Sequence, residues 1–137
     1  MSVRDLRLRP VGQVRSELRD RQVAPMQGTE GAPDAWIELL PEVLPAASGL
    51  AVGDDVWLLT WLHQADRTVL EVHPRSDRAN PLTGVFSTRS PDRPNPIGLH
   101  QVRVLEVQGR LLRVGSLEAI DGTPVLDLKP VLRNDGR

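Results

Sequence analysis

The side chains of this sequence with chemical potential concentrate in two short blocks. Residues 81–98, PLTGVFSTRSPDRPNPIG, hold four prolines and two glycines and set Arg89 and Arg93 on either side of Ser-Pro-Asp. Pro91, Pro94 and Pro96 fix φ and keep the residues before them extended, which predicts a rigid ledge presenting Arg93 and Asn95. Two guanidiniums at that spacing suit an anion, or are simply a solvated pair. The second block, Asp121-Gly122-Thr123-Pro124, reads as a tight turn, with Gly taking a left-handed backbone and Asp accepting from nearby amides. His63 and Gln64 follow an apolar run, where they either close a strand or line a pocket mouth. Pro25-Met26-Gln27 lies in a polar loop and alone specifies nothing. Asp127 and Lys129, two apart on an extended segment, share a face and either pair or are solvated.

Several chemistries are excluded outright. With no cysteine there is no thiol nucleophile, disulfide or thiolate metal site. His63, His73 and His100 lack metal-ligand spacing. No G-x-G-x-x-G, Walker A or G-x-S-x-G is present, against a Rossmann fold, a P-loop and an α/β-hydrolase. Neither a membrane span nor a signal peptide is expected, so the chain reads as soluble and intracellular. A net charge of −1 argues against a generic polyanion binder, yet residues 1–21 carry +3, 30–66 carry −7 and 67–113 carry +4. Basic residues are 16 Arg against the single Lys129, which base composition of the genome would also produce.

The elements that must position these blocks are strands. Pro and Gly make 23 of 137 residues, too many for a helical bundle. Extended segments are predicted at Pro10–Leu18, Ala35–Leu40, Val56–Leu62 (buried on both faces), Thr68–Val72, Thr83–Thr88, Val102–Val107, Leu111–Val114 and Pro124–Leu128. One short helix is expected at Pro41–Leu50. Seven or eight strands without a βαβ rhythm predict a mainly all-β chain: one domain over 1–137, a small antiparallel β-barrel or sandwich, barrel closure removing exposed edges.

The two blocks carry a resemblance. GVFSTRSPDRPNPIG (84–98) and DGTPVLDLKP (121–130), with VGQVRS (11–16), PMQ (25–27) and LHQ (62–64) in the same order, are similar to the TsaA-like domain of the TrmO/YaeB family of S-adenosylmethionine-dependent tRNA methyltransferases. The likeness covers nearly the whole chain. It implies a cytoplasmic, homodimeric β-barrel that binds S-adenosyl-L-methionine without a Rossmann sheet. It further implies methylation of N6 of threonylcarbamoyl-adenosine beside the anticodon of tRNA.

Carried over residue by residue, the resemblance assigns cofactor contacts to Pro25, Met26, Gln27, His63, Gln64, Arg89, Leu99, Asp121, Gly122, Thr123 and Pro124. Arg89 suits the cofactor carboxylate, Leu99 the adenine face, and Asp121 with the turn carbonyls the ribose or the sulfonium. Asp121 and His63 are the candidates to take the N6 proton. The sequence departs from the family at Glu118, where Asp is usual, and at Val131, where Tyr is usual; it also ends without the extra C-terminal domain of some bacterial members. These departures bear on tRNA recognition more than on the cofactor. A non-catalytic S-adenosylmethionine-binding module, and a methyltransferase with another acceptor, therefore stay open.

Overall fold

The structure, a computed structural model, describes residues 3–21 and 31–132. Pro25, Met26 and Gln27 lie outside these. Among the described residues there are eight strands: β1 (Gly12–Arg15), β2 (Ala35–Leu39), β3 (Asp55–Trp61), β4 (Glu71–Val72), β5 (Thr83–Gly84), β6 (Ile97–Gln108), β7 (Leu111–Val114) and β8 (Pro124–Pro130). Six of them close an antiparallel barrel in the order β1-β2-β7-β6-β3-β8, and β4 and β5 form a separate ribbon.

Period-two alternation drives the closure. Val14, Ile37, Val56, Leu58, Val102, Val104, Leu112, Val114 and Val125 point inward from all six strands and pack together, none more than 3% exposed. Each such burial contributes about 1.5–3 kcal/mol. Two register irregularities tighten the ring, between Val104 and Glu106 on β6 and between Leu59 and Thr60 on β3. The second places both Val125 and Leu128 opposite inward residues, Thr60 and Leu58, while Asp127 stays outside against Leu59. Bulges of this kind supply the extra twist a small barrel needs.

Several elements differ from the sequence reading. Val56–Leu62 is not buried on both faces: Val56, Leu58 and Thr60 are buried, whereas Trp57, Leu59 and Trp61 form a half-buried outer row. The expected helix is a 3-10 helix over Pro41–Ala47, because Pro45 has no amide to continue an α-helix. The segments at 68–72 and 83–88 shrink to β4, β5 and a 3-10 turn over Val85–Ser87. β6 begins five residues earlier than expected, at Ile97. No helix among the described residues is long and apolar enough to cross a membrane.

One polar chain crosses the apolar interior. His100 points inward and its Nε2 lies 2.7 Å from Thr60 Oγ1, while its Nδ1 meets Glu118 Oε1. With Nδ1–H donating to the carboxylate, Nε2 accepts from the Thr60 hydroxyl. The imidazole lies back over Gly98, which faces Thr60 across the ladder. A Cβ on Gly98 would stand 2.6 Å from His100 Nε2 and closer still to Thr60 Oγ1. Gly98→Ala should therefore cost about 3 kcal/mol, combining overpacking with a broken buried hydrogen bond. Urea denaturation checks this, and a wild-type midpoint would refute the close packing.

Candidate functional site

All neighbouring strands are antiparallel, so direction alternates around the ring and β1, β3 and β7 end where β2, β6 and β8 begin. The connections 16–34, 62–96 and 115–123 consequently emerge at one end of the barrel. That end receives the described candidate segments. Pro25–Gln27 belongs to the first connection by sequence, His63, Gln64 and Arg89 to the second, and Asp121, Gly122 and Thr123 to the third. Pro124 opens β8, and Leu99 is the third residue of β6.

The carrying strands are also adjacent. In the run β6-β3-β8-β1, Leu99 pairs with Leu59, Val125 with Thr60, and Pro124 with Gln13. Leu99 faces outward at 41% exposure and forms a shallow apolar wall with Trp57, Leu59 and Lys129. Asp127 and Lys129 do pair, at 3.5 Å on this exposed face.

The Asp121–Pro124 turn is fastened to β1 and the residues after it. Asp121 N donates to Leu18 O (2.6 Å), and Gly122 N donates to Val14 O (2.7 Å). Asp121 Oδ1 accepts from Ser16 N at 2.9 Å, an amide on a distant part of the chain and not one of its own turn, and Oδ2 lies 3.7 Å from Arg19 Nη1. Gly122 has φ +82°, a conformation that side chains rarely adopt. Thr123 is buried, its hydroxyl donating to Ile120 O at 2.7 Å.

The ledge is rigid, though not in the way the prolines alone implied. Arg93 turns inward: Nε donates to Ser90 O (2.8 Å), and Nη2 donates to Thr88 O (2.6 Å) and to Val85 O. It is a clamp inside the loop and not half of an anion receptor. Asn95 stays exposed on the ledge, its Oδ1 accepting from Arg67 Nη2 at 3.0 Å. Arg89 is exposed and makes no hydrogen bond or ion pair with the described residues. His63 and Gln64 are exposed beside the ledge, where Leu62 N donates to Pro96 O at 2.8 Å.

Four residues to which the sequence reading gave no role, Arg21, Asp66, Arg67 and Asp92, hold these loops together. Asp92 Oδ1 accepts from Asp66 N (2.8 Å) and Arg21 Nη2 (3.1 Å), and Arg21 Nη1 also donates to Gln64 O (2.8 Å). Arg67 donates from Nε to Pro94 O (2.7 Å) and stacks over Trp61, 5.0 Å from the ring centre. Asp66 accepts from the hydroxyl and amide of Thr68, which holds its carboxyl below the ordinary aspartate range. From within the barrel, Glu118 and His100 tie the third connection to β6. His100 had a legible signal, an inward parity shared with Val102, but the expected strand began too late to include it.

Residues 13–135 match the model of the tRNA-methyltransferase O N-terminal domain. The chain belongs to this family. It is 48% identical over 130 residues to a probable S-adenosyl-L-methionine-binding protein of Methanothermobacter thermautotrophicus, covering 95% of this chain and 93% of that one. A protein of the same description from Archaeoglobus fulgidus is 42% identical over 125 residues, covering 91% of this chain and 34% of the relative. The crystal structure of TrmO from Pseudomonas aeruginosa superposes with a TM-score of 0.75 at 32% identity, covering 100% of this chain and 60% of that one. The chain thus spans under two thirds of that solved TrmO and nearly all of the Methanothermobacter relative. In this TrmO-family barrel the expected cofactor residues outside 22–30 all map to one end or to the wall just below it.

Two outcomes follow from the loop geometry. Arg93→Lys leaves three carbonyls without their shared fork and should cost about 2–3 kcal/mol, with faster amide exchange at Thr88; unchanged exchange would refute the clamp. Because the Asp66 carboxyl is held low, its contribution is present above the unfolded-state value and lost as pH falls through the folded one. NMR titration should give a midpoint below that of an ordinary aspartate, moving upward in Thr68→Val.

Proposed function

We propose that the chain is an S-adenosyl-L-methionine-dependent methyltransferase acting on N6 of threonylcarbamoyl-modified adenosine next to the anticodon of tRNA. The observation carrying this reading is the convergence of the candidate segments on adjacent strands at one barrel end. The family match and the relatives described as S-adenosyl-L-methionine-binding proteins point the same way.

The residues present fit the methyl donor. The barrel interior is filled by side chains, so the donor belongs at the loop end and against the outer wall. Leu99, exposed beside Leu59 and Trp57, offers an apolar surface for the adenine face. Arg89, uncommitted among the described residues, suits the donor's carboxylate. The turn at Gly122 brings backbone within reach of the ribose or the sulfonium, while Asp121, Thr123 and Pro124 fix its shape. Gln64 is held through its carbonyl by Arg21, leaving its amide side chain to the ligand. Pro25, Met26 and Gln27, outside the described residues, are assigned to the donor by the family resemblance alone.

When bound, S-adenosyl-L-methionine would supply an electrophilic methyl, which the acceptor nitrogen takes as the carbon–sulfur bond breaks and the neutral thioether leaves. Positioning then provides much of the rate enhancement, which suits a rim of short, fastened loops. The N6 proton needs an acceptor. Asp121 gives one oxygen to the Ser16 amide and holds the other near Arg19, whereas His63 is exposed with no described partner, and of the two it is the more available base. A homodimer and a cytoplasmic location accompany this reading.

Titration calorimetry should detect S-adenosyl-L-methionine binding, weakened about 10-fold or more in Arg89→Ala through loss of a charge-assisted contact. Labelled methyl should pass from the donor to tRNA carrying threonylcarbamoyl-adenosine. No donor binding by the intact protein would overturn the reading. Binding without transfer would leave a non-catalytic module, and transfer to another extract fraction would change the acceptor.

A further inference from the structure

The aromatic side chains divide unevenly. Trp36, Trp57 and Trp61 are half-buried on the barrel wall, with Trp61 also covered by Arg67. Phe86 is the exception at 86% exposed, although the backbone beneath it is among the best-fastened in the ledge. Val85, 2% exposed, donates its amide to Leu70 O at 2.9 Å, and its carbonyl accepts from Thr88 N, Thr88 Oγ1 and the Arg93 guanidinium. Arg93 also holds Thr88 O, so both residues flanking the Phe86–Ser87 pair are pinned. A floppy exposed ring would be unremarkable; an exposed ring on a locked turn is presented to something.

Its surroundings specify what. Phe86 is three residues from Arg89, so the ring stands within about 11 Å along the chain of the residue assigned to the methyl donor. Leu70, to which Val85 is bonded, is itself 65% exposed and extends the apolar surface. A flat apolar ring held on the same loop as Arg89 matches an unstacked base.

Building on the tRNA reading above, we propose that Phe86 is a stacking platform for an unpaired base of the RNA substrate. The chemistry calls for such a platform, because N6 of a stacked loop base is reached only when the base and its neighbours splay apart. Each splayed base loses its stacking partner, and an aromatic ring restores one without reading sequence.

The test uses the full chain and an anticodon stem–loop RNA, measured by fluorescence anisotropy. Phe86→Ala should weaken RNA binding roughly 5- to 100-fold, the range for loss of one base–aromatic stack. Phe86→Trp should retain affinity, and Phe86→Leu, which keeps apolar bulk without a π face, should resemble Phe86→Ala. Donor affinity by calorimetry and particle mass by light scattering should match wild type in all three. Equal RNA binding by Phe86→Ala and wild type overturns the proposal while leaving the function standing, as does Phe86→Leu binding like Phe86→Trp. A changed particle mass would place the ring between copies of the chain, and weakened donor binding would place it on the methyl donor; either overturns it. Wild-type protein that binds the donor but no RNA removes the tRNA reading and this proposal together.

Discussion

A six-stranded ring is too narrow to enclose anything except its own side chains, and that single constraint organises the rest of the molecule. Val14, Ile37, Val56, Leu58, Val102, Val104, Leu112, Val114 and Val125 fill the interior, so no ligand can enter as it would in a wider barrel. With an even number of antiparallel strands, direction alternates around the closed ring. Three of the five connections share an end, and the two longest, 16–34 and 62–96, are among them. The candidate site is where the topology puts it, on the rim.

The polar chain through the core serves the same rim. Glu118, His100 and Thr60 would weaken an apolar barrel if any one lacked a partner, yet among the described residues no buried side-chain nitrogen or oxygen is unpaired. The chain links β3, β6 and the connection that leads into the Asp121 turn. Removing one member would strand the others at a desolvation cost of about 1–3 kcal/mol each. The longer carboxylate of Glu118 reaches His100 in this sequence without leaving a void at Gly98, where no Cβ can be accommodated.

Local chemistry was legible in the residues, and long-range chemistry was not. The Asp-Gly turn announces its left-handed glycine, which is present, whereas its carboxylate reaches the amide of Ser16, 105 residues away in the sequence. Alternation in the strands predicts an antiparallel barrel or sandwich, and the closed ring decides for the barrel. Two errors share one cause. The run VWLLTWL looked buried on both faces because its outer row, Trp57, Leu59 and Trp61, is as apolar as its inner one. Arg93 looked like an anion receptor because nothing in its neighbours says that three carbonyls converge on it. In both cases the side chain's fate is settled by residues that only the fold brings near. The family likeness located the site residues by analogy, and their common end of the barrel is a separate, topological fact.

That distinction bears on how the arginine excess should be read. Sixteen arginines against one lysine invite the thought of nucleic acid, yet Arg21, Arg67 and Arg93 are turned to carbonyls and carboxylates within the rim. The rim has little apolar surface of its own to pack, because the barrel keeps it inside. A guanidinium offers five donors in a flat fork and can bridge two or three acceptors on different loops, which an ammonium does less well. These arginines substitute for a local core. A charge count therefore overstates the surface available to a polyanion, and the exposed, uncommitted cations such as Arg78 and Arg89 are the ones to weigh. Near-neutral overall charge is then no argument against RNA, because an active rim needs only a few such cations beside a rigid ring.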